Sequence, residues 1–141
     1  MLLSEAGWAA HRCWLDLPRH YPHLLHDAFV VMPNHIHGVV IVQPVLTSAD
    51  GSTYIMDWND DRPVSRDVSS IGLSEIIRGF KTESARRINA LRRTGGNPVW
   101  QRSFYDSIVR DGAHLDRIRQ YIAANPGRWS EDEENAVSSP R

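Results

Sequence analysis

The chain has 141 residues, a formal net charge of −1, 41% hydrophobic and 23% charged residues, values that suit one soluble globular domain with a core of its own. No apolar run approaches the roughly 18 residues that a membrane-spanning helix needs. The opening MLLSEAGWAAHRCW lacks the basic flank of a signal peptide and carries Glu5 too early for one, so the cytoplasm is the expected compartment.

Residues 4–17 read as a helix. Ser4 can cap it, Ala6, Ala10, Cys13, Trp14 and Leu17 fall on one side, and Pro18 stops it. Cys13 is the single cysteine, so an intrachain disulfide and a cysteine-based zinc site are excluded, and among Trp14, Leu15 and Leu17 it reads as a core residue. After a loop rich in His, Pro and Tyr comes the clearest β signal. The apolar run 28–32 ends at Pro33-Asn34, and the run 35–42 follows at once, which predicts an antiparallel hairpin. Residues 44–69 then turn rich in Ser, Asp, Pro and Thr without periodicity, the pattern of a long mobile insertion.

A helix returns at 73–93, where Ile77, Phe80, Ser84, Ile88 and Leu91 form one stripe. Gly95, Gly96 and Pro98 end it, and the β-rich run 99–109 predicts a third strand. A last helix spans about 112–124, with Asp111 as cap and Leu115, Ile118 and Ile122 facing inward, and 130–141 reads as a disordered acidic tail. The order is α-β-β-α-β-α. One strand in front would complete a ferredoxin-like α+β layer, an antiparallel sheet with helices on one face, followed by a terminal helix. Lacking that strand, the domain has three expected outcomes: the 99–109 strand slides in to pair with the hairpin, another chain supplies a strand, or the fold is marginally stable.

Charge is unevenly placed. Fifteen of the sixteen basic residues are arginine, and six of the sixteen lie between Arg78 and Arg93. Arginine suits bidentate phosphate contacts, so Arg78, Lys81, Arg86 and Arg87 are candidates for a DNA-binding face. A solvated helix surface explains the same residues, and charge alone leaves both open.

Two features carry chemistry. His35 and His37 stand two apart on a predicted strand, so both imidazoles project from one face and can form two legs of a metal site. Surface or core histidines are the bland alternative. Tyr121 and Asn125 are four apart at the end of the last helix and share a face. Here too a plain reading exists, with Tyr121 packed beside Ile118 and Asn125 as a helix stop. Taken together they suit phosphoryl transfer. A tyrosine with a pKa near 10 is a poor nucleophile at neutral pH. A divalent cation such as Mg²⁺ or Mn²⁺, held by two imidazoles and one amide oxygen, can polarise a phosphate for it.

The segments VVMPNHIHGVVIV (30–42), GFKTESARRIN (79–89), PVWQRSFYDSIVR (98–110) and RIRQYIAANPGRW (117–129) resemble, in this order, the blocks of the HUH single-tyrosine transposases, in particular the REP-associated branch. The resemblance covers most of residues 8–129. It implies a transposase domain over 1–129, His35 and His37 as metal ligands, Asn125 as the third, and Tyr121 as the residue that forms a transient 5′-phosphotyrosine bond. It also implies single-stranded hairpin DNA as substrate, no ATP, and a monomer or homodimer. The family carries a strand before the first helix, and many members have histidine where Ser107 stands. A decayed or domesticated copy that binds hairpin DNA without cutting it is the alternative. A water-using hydrolase ranks last, because no acid lies within five residues of the histidines and Asp27 is the nearest.

Overall fold

In a computed structural model, residues 2–56, 63–65 and 72–131 are described. Helix α1 (Glu5–Leu15) starts where the Ser4 hydroxyl accepts the Gly7 N–H at 3.1 Å, the capping geometry that a serine at this position favours. Pro18 redirects the chain instead of only stopping it. After Asp16 a four-residue helix α2 (Leu17–His20) follows, with Pro18 in its first turn, where a missing N–H costs no hydrogen bond.

The expected hairpin is present. Strand β1 (Leu24–Val31) pairs antiparallel with β2 (Ile36–Val42), from Leu24 opposite Val42 to Val31 opposite Ile36. The pairing shifts by one residue between His26 and Phe29, so β1 carries a bulge that the alternation of the sequence does not reveal. Phe29 faces the helices and stacks on Trp14, ring centroids 4.4 Å apart and planes 8° from parallel, while Phe80 meets the indole edge-on at 5.6 Å. A Cβ on Gly38 would lie 2.5 Å from Trp14 Cζ2. The glycine is therefore needed for the close approach of this indole, not for that of a ligand as its place beside the histidines suggests.

Helix α3 (Leu73–Arg92) packs along α1 and closes the core around Trp14, Leu17, Leu24, Ile76 and Phe80. Its buried row is Ile76, Phe80, Ser84 and Ile88, a strict spacing of four, whereas Leu91 is half exposed. The row of side chains four apart is the ridge one helix presents to another, and it displaces the predicted stripe at both ends. The chain leaves α3 through Arg93, which adopts a left-handed φ of 55°.

Within 44–69, the described residues form a small antiparallel sheet of β3 (Val45–Thr47), β4 (Thr53–Met56) and β5 (Pro63–Ser65); strands of three or four residues are too short to print a period of two. Residues 57–62 and 66–71 lie outside the described residues. The predicted strand 99–109 is not a strand. Its carbonyls are taken by side chains of α3 instead: Lys81 Nζ donates to Gln101 O (2.9 Å) and Ser103 O (2.8 Å). Asn89 likewise donates to Asn97 O at 2.8 Å. Trp100 Nε1 donates to Ser84 Oγ at 2.9 Å, and Tyr105 and Ile108 stand in solvent. The direct pairing foreseen for this segment does not form, and among the described residues β2 pairs with β1 alone.

Helix α4 (Gly112–Ala124) is capped by Asp111, whose carboxylate accepts the His114 N–H at 2.7 Å. It docks on β1. Cross-strand partners share a face, so with Phe29 and its partner Gly38 turned to Trp14, the Val30–His37 pair faces the other way. The contact between His37 and Tyr121 therefore puts α4 on the face opposite α1 and α3. Helices α1 and α3 thus share one face of the hairpin and α4 covers the open face, the arrangement expected of two helices on one side plus a terminal helix. Two short 3₁₀ turns follow, Asn125–Gly127 and Trp129–Glu131; of the predicted tail, 132–141 lie outside the described residues. The architecture is α+β, with small antiparallel sheets and helices. No helix among the described residues is long and apolar enough to cross a membrane.

Candidate active site

The tight return between β1 and β2 sets the first half of the site. Met32 N–H donates to His35 O at 2.8 Å, which fixes His35 just before β2, while His37 sits two residues on, within the strand. Their Nε2 atoms lie 3.0 Å apart. Two nitrogens bound at right angles to one ion, each about 2.1 Å from it, would be separated by roughly 3 Å, so the pair already has the spacing of neighbouring ligands. Asn34 Oδ1 sits 2.7 Å from His35 Nδ1. An amide oxygen only accepts, so with this amide orientation a neutral His35 carries its proton on Nδ1, and its Nε2 lone pair is open to His37 Nε2–H or to an ion. This is the outer partner that a ligating imidazole commonly has, and the pattern Asn-His-x-His was its signal in the sequence.

The second half comes from the end of α4. The Tyr121 ring packs against His37, centroids 5.4 Å apart at 75°. The Trp129 ring lies 6.0 Å from that of His35. Residues 121–129 thus bracket the histidine pair, and Asn125 falls between the two contacts. Asn125 is buried, and its Nδ2 finds no hydrogen-bond partner. An unpaired buried N–H costs about 1–3 kcal/mol, a cost that an acceptor oxygen placed against Nδ2 would offset and a cation on Oδ1 would not. Tyr121 itself is 54% exposed, which is what a group that must reach a macromolecule requires and a core tyrosine does not show.

Among the described residues, no three His, Cys, Asp or Glu side chains gather as a metal site. The donors that the geometry brings together are the two imidazoles, and Asn125 lies in the chain between the Tyr121 and Trp129 contacts. A hollow of about 300 Å³ opens beside His35, lined in part by Asn34, Ile36, Val99 and Trp100.

The basic residues do not join this centre. They lie on α3, across the hairpin from Tyr121. Arg78 pairs with Glu75 at 3.5 Å, and Lys81 holds the carbonyls of 101 and 103. Arg86 and Arg87 both bind Glu83, at 2.8 and 2.7 Å, and hydrogen bonds from Arg86 and then Arg87 hold the Glu83 carboxyl down at about 2. Burial raises the Cys13 thiol above its ordinary pKa, as expected of a core cysteine.

Sequence reasoning missed Asp27 and Arg119. Arg119 Nε donates to Asp27 Oδ1 at 2.8 Å, and its terminal nitrogen to Oδ2 at 2.6 Å. The hydrogen bond from Arg119 holds the Asp27 carboxyl below its usual range. Ninety-two residues separate the two, and neither has a local signature.

The chain is 29% identical over 136 residues to an uncharacterised protein of Haemophilus influenzae, an alignment covering 94% of this chain and 71% of the relative. No protein-family description matches the chain, and no solved structure matches it.

Proposed function

We propose that the protein is a metal-dependent DNA strand transferase that cuts and rejoins single-stranded hairpin DNA through Tyr121, in the manner of the tyrosine transposases its motifs resemble. The observation that carries this reading is the pair of Nε2 atoms 3.0 Å apart with the exposed Tyr121 ring packed on one of the two imidazoles. Packing alone needs neither a converging imidazole pair nor a tyrosine turned toward solvent. The hairpin with helices on both faces is read as part of a ferredoxin-like layer, working in the cytoplasm as a monomer or homodimer.

In this account His35, His37 and Asn125 would hold Mg²⁺ or Mn²⁺, which supplies charge stabilisation at the scissile phosphate. Asn34 keeps the His35 proton on Nδ1. Tyr121 Oη attacks phosphorus and loses its proton; the phosphorus–O3′ bond breaks, and O3′ takes up a proton. The products are a 5′-phosphotyrosine and a free 3′-hydroxyl. The new ester replaces the old one in kind, so resealing is the reverse step and ATP is not required. Arg78, Lys81, Arg86 and Arg87 would contact more distant phosphates, exchanging some carboxylate partners for DNA.

The test is a cleavage assay on labelled single-stranded hairpin oligonucleotides. Cleavage is expected with Mn²⁺ or Mg²⁺, to stop with chelator, and to be lost in Tyr121→Phe and in His37→Ala. Cleavage that persists in Tyr121→Phe would overturn the assignment of the nucleophile.

A further inference from the structure

Helix α4 has little to hold it. Within the helix Ile122 is the one buried residue, with Leu115 and Ile118 only half covered. Against that small apolar patch stands a bidentate ion pair, Arg119 to Asp27 at 2.8 and 2.6 Å. The Asp27 side chain is 17% exposed and that of Arg119 45%, so solvent reaches the pair from the arginine side, and its grip rests on bidentate geometry more than on weak screening.

The backbone of β1 is shaped for this contact. The extra residue between His26 and Phe29 leaves Asp27 and Ala28 together opposite Val39. Without it, strict alternation would turn Asp27 and Phe29 to the same face. With it, Asp27 meets α4 on one face while Phe29 stacks on Trp14 on the other. Arg119 is also steadied from its own helix by Asp116 at 3.1 Å. Two residues further along α4 lies Tyr121.

We propose that Asp27 and Arg119 form the latch that positions the Tyr121 end of α4 over the His35–His37 pair, so that both are positioning residues for strand cleavage. The positioning role rests on the function proposed above; the docking role does not. A planar guanidinium gripped at two nitrogens fixes rotation of the helix as well as its distance from the strand. Rotation is the coordinate that matters, because a helix turned about its axis carries Tyr121 away from His37 without unfolding. A misplacement of about 1 Å can lower a reaction rate by up to 100-fold.

Two readouts on the full chain test this, with Asp27→Asn, Arg119→Gln, Arg119→Lys and the exchanged pair Asp27→Arg with Arg119→Asp. Hydrogen exchange of the amides in 112–124 reports docking with no need for activity. Single-turnover formation of the covalent adduct at saturating hairpin DNA, beside the Kd for that DNA, reports positioning. The single variants should speed exchange in α4 while α1 and α3 stay protected. They should also slow adduct formation by about 10- to 100-fold with Kd within about twofold. The exchanged pair should recover at least part of both, and Arg119→Lys less of the rate because it grips at one point. Unchanged exchange in α4 overturns the latch. A freed helix with an unchanged adduct rate overturns the positioning role. A wild-type protein that makes no adduct overturns the proposed function and the positioning role with it, and exchange then decides the docking alone.

Discussion

Replacing Gly38 by alanine perturbs the site from beneath. The new Cβ would lie 2.5 and 2.6 Å from Trp14 Cζ2 and Cη2 and 3.1 Å from Phe29 Cδ2. The indole contact falls about 0.9 Å short of the 3.4 Å at which ordinary van der Waals contact begins. The indole is hemmed by the Phe29 ring stacked at 4.4 Å and the Phe80 ring edge-on at 5.6 Å, which limits its retreat. Overpacking of this kind costs about 1–3 kcal/mol, and alanine returns roughly 0.5–1 kcal/mol of backbone entropy. A contact this short lies in the upper half of that range, about 2–3 kcal/mol, so the net loss expected is about 1–2.5 kcal/mol, which urea titration should show at an unchanged slope. Because His37 is the preceding residue, Mn²⁺ affinity should fall as well. Trp14→Phe removes the two clashing atoms, so the double variant should show a favourable coupling of about 0.5–3 kcal/mol. A Gly38→Ala protein as stable as the wild type, or a strictly additive double variant, would refute the packing argument.

Other outcomes follow from the same geometry. The Glu83 carboxyl sits at about 2, below its ordinary 4.5, so the stability it contributes is complete above pH 4.5 and lost as pH falls from there toward 2; Glu83→Gln should flatten the decline of melting temperature across that window. Neutralising Arg86 and Arg87 together should reduce the salt dependence of single-strand DNA binding by about 1.4 in log–log slope, and an unchanged slope would make them a solvated face. Asn34→Ala should weaken Mn²⁺ binding by about 10- to 100-fold through loss of the His35 partner, with little change in melting temperature. Arg93→Gly should stabilise the protein by about 1 kcal/mol, because glycine meets the φ of 55° without Cβ crowding; no gain in a urea titration would contradict this.

Much of the frame was legible because it is written in local periods. Ser4, Pro33-Asn34 and Asp111 mark element ends by their own chemistry, and alternation pointed to the His35–His37 pair, although His35 is held by the turn just before β2. What escaped depends on partners distant in sequence. The run 99–109 has strand composition, yet Lys81, Asn89 and Ser84 of α3 hold 97–103 by hydrogen bonds, and tertiary demand overrides propensity. The bulge near Asp27 is invisible without Trp14 on one side and Arg119 on the other. The basic residues of α3 read as one patch in the sequence, but Glu75 and Glu83, spaced three or four away, already engage Arg78, Arg86 and Arg87. Asn125 was found by its spacing from Tyr121; its buried, unpaired amide is a property of the folded state.

The central claim is that Tyr121 becomes covalently joined to DNA. The most direct measurement is mass spectrometry of tryptic peptides after the protein meets single-stranded hairpin DNA with Mn²⁺. The account predicts a nucleotide adduct on the peptide containing Tyr121, absent with chelator and absent in Tyr121→Phe. An adduct on the peptide containing the exposed Tyr105, or cleaved DNA with no protein adduct at all, would contradict it.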